Sequence, residues 1–112
     1  MSIFEVTSKL GRKLRLTEIQ WAHISYKHPE LNNQLQRMIS VLENPDFIYY
    51  SSNDDCYQYI KYFEQTPISK KYLLVIVRHL NSEGFVITAF FCSKIKKTQK
   101  EVIYEKENFH KL

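Results

Sequence analysis

Two histidines, two strand cations and a threonine are the residues whose types and positions raise a chemical question in this chain. His23 and His28 lie five positions apart in WAHISYKHPE, residues 21–30. On a helix that spacing turns about 140°, so they do not form the i, i+4 pair that grips a metal on one helical face. No metal or other cofactor is expected, and proton transfer is the chemistry that fits. His28 stands directly before Pro29, which disfavours helical backbone in its predecessor. His28 therefore closes a helix at the end where the dipole favours imidazolium, and it is a candidate general acid or base. The plainer reading is that its ring caps carbonyls there. Downstream, Lys61, Arg78 and Thr88 stand in otherwise apolar strands. Such residues either face solvent, the usual case, or aim at a ligand. The segment SKIKKTQKE adds Lys94, Lys96 and Lys97. Basic side chains interleaved with tyrosines suit single-stranded RNA, since cations meet phosphates and ring faces stack bases. Tyrosine is also simply a good strand former with one wet end.

The elements that must carry these groups follow from periodicity. Residues 3–7 and 13–16 alternate apolar and polar around a Lys9-Leu10-Gly11 break, which reads as a strand or a strand pair at an edge. Thr17 with Gln20 makes a capping box, so helix one starts near Glu18. Ile19, Ala22 and Tyr26 share one side of it, Trp21 and Ile24 the other, so the helix should be sandwiched between two layers. Pro29 can open helix two, whose apolar stripe is Leu31, Leu35, Met38, Ile39 and Leu42, and Glu43-Asn44-Pro45-Asp46 ends it. The period then changes to two, giving strands at 47–51, 57–64, 72–80 and 85–92, joined by short segments with turn chemistry. Residues 102–104 could pair at an edge, before a polar tail to Leu112. The expected fold is α+β: two N-terminal helices packed on a twisted antiparallel sheet of about four strands, with an N-terminal edge strand.

Composition bounds the rest. A chain of 112 residues, 44% apolar and 14% aromatic, with two glycines and three prolines, is one domain spanning 1–112 and not a disordered segment. No apolar run reaches the ~20 residues that span a bilayer, so a cytoplasmic protein without membrane contact is expected. Cys56 and Cys92 lack a CxxC spacing and signal neither a disulfide scaffold nor zinc. The net charge of +4 favours an anionic partner, with basic residues gathered at 9–15 and 94–100 and acids at 43–55.

In order, the motifs are a basic strand, LT followed by WAHI, the KHPE corner, LENPD, YQYIKYF, YLLVIVR, and GFVITAFF followed by SKIKK. Their order and spacing resemble the small phage and bacterial proteins of the barnase, EndoU, colicin and RelE nuclease superfamily over nearly the whole chain. The resemblance implies a single nuclease-like domain with metal-independent RNA cleavage. It places the corner histidine at His28, that of the WxHI segment at His23, and the strand polar positions at Lys61, Arg78 and Thr88. Related sequences often read TAY where this chain has Thr88-Ala89-Phe90, which lacks the tyrosine hydroxyl. The expected function is an RNA endonuclease or toxin-like domain, using His28, Lys61, Arg78 and Thr88 in catalysis and His23, Lys94, Lys96 and Lys97 in RNA binding. The rival is a catalytically inactive module of the same fold that binds RNA or a protein. An antitoxin is the partner expected of the toxin-like form, and a third possibility is a homodimer joined at an exposed strand edge.

Overall fold

A basic hairpin opens the chain. Strand β1 (Ser2–Thr7) turns back through Gly11, held at φ +81°, into β2 (Lys13–Thr17); an L side chain is strained in that left-handed region, so glycine suits the turn. In β2 the alternation is strict: Leu14 and Leu16 are fully buried while Lys13 and Arg15 face solvent. Helix α1 (Glu18–Lys27), a 3₁₀ turn (Pro29–Leu31) and helix α2 (Leu35–Glu43) follow. Strands β3 (Phe47–Ser51), β4 (Cys56–Tyr62), β5 (Tyr72–Leu80), β6 (Glu83–Cys92) and β7 (Glu101–Glu105) complete the chain. The computed structural model describes residues 1–107, so the end of the expected polar tail, 108–112, lies outside the described residues.

The seven strands make one sheet in the order β1-β2-β6-β5-β4-β3-β7. This corrects the expected fold: the sheet has seven strands rather than about four, and it is mixed rather than antiparallel. Strand outweighs helix, 44% to 21%. The parallel pair is β2 with β6, in the register Lys13↔Glu83, Leu14↔Gly84 and Arg15↔Phe85. Its physical reason lies in the two buried leucines of β2, which need a neighbour on each side, and in Gly84, where a Cβ would sit 2.8 Å from Leu14 Cδ2. At the other end β7 pairs with β3, so the run 102–104 belongs to the sheet as a full strand.

Both helices lie on one face, α2 against β5, β4 and β1, and α1 against β6 and β2. The core there joins Leu14, Leu16, Ile24, Leu31, Met38, Val41 and Leu42 to Tyr59, Leu73, Val75, Val77, Ala89 and Phe91. The opposite face carries a smaller cluster of Phe47, Tyr49, Ile60, Tyr72 and Leu74, against which Ile95 of the 93–100 strap packs. Two helix expectations also change. Pro29 opens only the 3₁₀ turn, because Asn33 adopts φ 67° and breaks the chain before α2 begins at Leu35; asparagine tolerates that conformation better than most residues. And α1 is covered on one side only, with Ile19 75% and Tyr26 88% exposed. No helix among the described residues is long and apolar enough to cross a membrane.

Candidate functional site

The site begins where β2 ends. Beyond Arg15 and Phe85 the two strands part, since Thr17 stops β2 and caps α1, its Oγ1 accepting a hydrogen bond from the Gln20 N–H at 3.1 Å. Strand β6 continues without a strand neighbour on that side, and α1 takes the place of one. The Gln20 side chain does not fold back on Thr17 as a capping box would have it; its Nε2 donates to the carbonyl of Ile87 on the free edge of β6. Ile87 is the extra residue of a β-bulge, between the pairs Ile76↔Thr88 and Val77↔Val86. Bulges re-aim side chains at functional edges, and this one turns the chain just before Thr88.

Between α1 and this edge lies an open cleft of about 580 Å³, lined by Gln20, His23, Ile24, Lys27, His28, Ile87, Thr88 and Phe90. Its best-defined ionisable side chain is His28. As the C-cap of α1 it donates its backbone N–H to the Ile24 carbonyl at 2.8 Å. The turn that Pro29 starts brings Glu30 back, so that a Glu30 carboxylate oxygen lies 3.6 Å from His28 Nδ1, an electrostatic contact slightly long for a hydrogen bond. The ring lies 5.9 Å from that of Phe90 at an angle of 32°. A carboxylate on one nitrogen and an aromatic ring beside it orient an imidazole and leave Nε2 for a ligand. His23 and Lys27 stand one helical turn apart on the exposed flank of α1, on the same cleft.

The structure thus brings His23, His28 and Thr88 together and sets Lys61 and Arg78 apart from them. Lys61 pairs with Leu73 on the helix-covered side of β4, and its Nζ donates to the Asn44 carbonyl at 2.8 Å, where α2 ends. Arg78 shares the Thr88 side of the sheet but turns to the β3–β4 connection. There Nη2 donates to the Asp54 carbonyl at 2.9 Å and Nε to that of Asp55 at 3.3 Å. Both cations hold backbone turns, which is how a strand lysine or arginine looks when its ligand is the protein itself. Lys94, Lys96 and Lys97 are exposed on the strap after β6. Sequence reasoning missed Lys27, which sits between the two histidines, and Glu30 as a partner of His28, although the KHPE spacing contained both.

A second polar cluster lies under the β1–β2 turn. The Tyr59 hydroxyl, fully buried, donates to Ser8 Oγ at 2.9 Å and lies 3.2 Å from His79 Nε2. The His79 ring stacks on Tyr57 at 3.9 Å. Burial pushes the Tyr59 hydroxyl up to about 12. Burial, with the Arg12 guanidinium adding to it, pushes His79 down to about 4, so its ring is neutral at pH 7. Comparison of the chain with protein-family models, curated proteins and solved structures found no match in any of the three.

Proposed function

We propose that this chain is an RNA-cleaving domain whose reaction takes place in the α1–β6 cleft. The observation that carries the reading is His28, oriented between Glu30 and Phe90 on a cleft that also holds His23, Lys27 and Thr88. The motif order, which resembles that of the barnase, EndoU, colicin and RelE superfamily, supports the same chemistry. In the reaction, His28 Nε2 takes the proton of a ribose 2′-hydroxyl as the 2′-oxygen attacks the adjacent phosphorus. Glu30 stabilises the imidazolium that results. His23, in its protonated form, gives a proton to the 5′-oxygen as the P–O5′ bond breaks, so the products are a 2′,3′-cyclic phosphate and a 5′-hydroxyl. Lys27 and the Thr88 hydroxyl bind the phosphoryl oxygens as negative charge develops on them. In this scheme Lys27 takes the place given to Lys61 and Arg78 on sequence grounds.

The test is an oligodeoxynucleotide carrying one ribonucleotide, with products identified by mass spectrometry. The parent should release the cyclic phosphate, and His28→Ala should slow the reaction by about 10²- to 10⁴-fold, the usual contribution of a positioned acid or base. An all-deoxy strand should be inert. Equal rates for parent and His28→Ala remove His28 from the reaction, and no cleavage by the parent removes the enzyme. The second reading is an inactive RNA-binding module. It is favoured by the engagement of Lys61 and Arg78 with backbone carbonyls, which leaves Lys27 as the one Lys or Arg lining the cleft among the described residues. That module would bind the same oligonucleotide without turnover. Cytoplasmic location and an antitoxin partner belong to the toxin-like form of the proposal, for which growth arrest on expression is the check.

A further inference from the structure

Strand β6 leads out of the cleft into a patch of positive charge. Thr88 and Phe90 line the cleft, and Phe90 also packs with Cys92 and Ile95 on the opposite-face cluster, so one side chain belongs to both regions. Immediately beyond, the Cys92 thiol lies against the Lys94 carbonyl at 3.2 Å and within the electrostatic reach of Lys70 and Lys100. The 93–100 strap then crosses the face to β4, where Lys100 Nζ donates to Gln58 Oε1 at 2.9 Å and to the Lys96 carbonyl at 2.8 Å. Lys70 and Lys100, which sequence spacing did not connect with the cleft, thereby join Lys94, Lys96 and Lys97 in one patch.

Among the described residues none of these five ammonium groups forms an ion pair, whereas Lys71 and Lys106 do, with Glu64 and Asp46. The like charges act on one another: burial first, and Lys96 second, pull the Lys100 ammonium below its usual range. A concentration of uncompensated charge at the end of a cleft attracts a polyanion. From Thr88 to Cys92, where β6 ends, is four residues, about 13 Å at the ~3.3 Å rise of a strand, and Lys94 lies just beyond, which is the scale of a few nucleotides of extended chain. A flexible single strand can follow the edge of β6 and turn onto the strap, its phosphates meeting cations along a basic groove.

We infer that the Lys94, Lys96 and Lys97 side chains, with Lys70 and Lys100 behind them, bind the backbone of single-stranded RNA that flanks the nucleotide held in the cleft. This rests on the RNA reading of the cleft but concerns binding away from it. The experiment is fluorescence anisotropy of a labelled 2′-O-methyl RNA 12-mer, which cannot be cleaved through its 2′-oxygen, across a salt series. It compares the parent, the Lys94→Ala/Lys96→Ala/Lys97→Ala variant and Lys13→Ala as a surface control. Losing three phosphate contacts should reduce the slope of log K against log[salt] by about 2, at ~0.7 per contact for single strands. Cleavage of a dinucleotide, too short to reach the patch, should be unchanged, and Lys13→Ala should leave the slope unaltered. A triple variant with the parent slope overturns the inference, as does a parent that binds no RNA. If the slope changes while the parent never cleaves the single-ribonucleotide strand, the patch stands and the enzyme reading falls. If cleavage persists and the slope is unchanged, the reverse holds.

Discussion

Replacing Tyr59 with Phe would test whether the buried Ser8–Tyr59–His79 cluster holds the β1–β2 turn against the sheet. The ring itself is in place within the core between Ile48 and Val75, and Phe keeps it there, so the change removes one hydroxyl and little packing. Two partners are affected. Ser8, 5% exposed, loses its 2.9 Å donor and keeps only long contacts from the backbone N–H groups of Leu10 and Arg12, at 3.3 and 3.4 Å. His79 loses its Nε2 neighbour, while its buried Nδ1 already lacks a partner among the described residues. A lost neutral hydrogen bond costs about 0.5–1.5 kcal/mol net, and a buried group left unsatisfied about 1–3 kcal/mol. Ser8 retains some contacts and His79 is half-exposed, so the total should be about 2 kcal/mol, a fall in Tm of roughly 8 °C at about 2.1 cal/mol/K of unfolding entropy per residue. Urea and thermal melts on Tyr59→Phe, Ser8→Ala and the double variant measure it. Because the two residues share one bond, the double variant should be more stable than the sum of the singles by about 1 kcal/mol. A Tyr59→Phe protein within 0.5 kcal/mol of the parent, or strict additivity, would show that the turn is held by its backbone bonds alone, Ser8 N–H to Arg12 at 2.7 Å and Lys9 N–H to Leu42 at 2.9 Å.

Two further expectations follow from the same end of the sheet. His79 is held at about 4 in the fold, by burial first and Arg12 second, against 6.5 for a free imidazole. A depressed folded value favours the neutral ring, so its contribution is complete above pH 6.5 and declines as pH falls toward 4. Allowing for solvent screening at a half-exposed ring, that contribution is about 1–2 kcal/mol, and His79→Gln should flatten the stability profile between pH 6.5 and 4 relative to the parent; an unchanged profile would remove His79 from the acid response. Gly84→Ala would place a Cβ 2.4 Å from the Arg78 carbonyl oxygen and 2.8 Å from Leu14 Cδ2. The first contact is with the backbone of β5 and cannot be relieved by a rotamer change, so β5 and β6 must separate around the pair His79↔Gly84, at about 3 kcal/mol or more, and melts showing less than about 1 kcal/mol would contradict that register.

What could be read from the chain was local. The alternation in FIYYS and YLLVIVRHL set β3 and β5 at the bounds the structure has, and Thr17 caps α1 from where a helix start was expected. What could not be read was long-range. The pairing of Lys13–Arg15 with Glu83–Phe85 joins segments about 70 residues apart, and no local pattern distinguishes a parallel neighbour from an antiparallel one. Gly84 fell in the turn before the strand expected at 85–92, so its place inside β6, against Leu14, carried no hint. The polar strand residues show the same limit. Lys61 and Arg78 stood out by type, but an out-of-place cation looks the same in sequence whether its ligand is a phosphate or the carbonyl of Asn44 or Asp54.

The His28 corner and the sheet depend on one departure. If β2 ran alongside β6 to its end, the edge at Ile87–Phe90 would be paired and no cleft would exist. Thr17 ends that pairing and starts α1 in the same step, so α1 lies along the exposed edge with Gln20 bonded to the Ile87 carbonyl. The helix then carries His23 and Lys27 past that edge, and Pro29 stops it at the point where His28 faces Phe90. The two histidines reach the cleft from different parts of the chain, His23 from within α1 and His28 from its C-cap, where the backbone has already left the helix. A shift of the Thr17 cap by one residue would rotate α1 by about 100° and carry both away from Thr88. The position of the site is therefore set by where β2 stops, more than by any residue within the cleft.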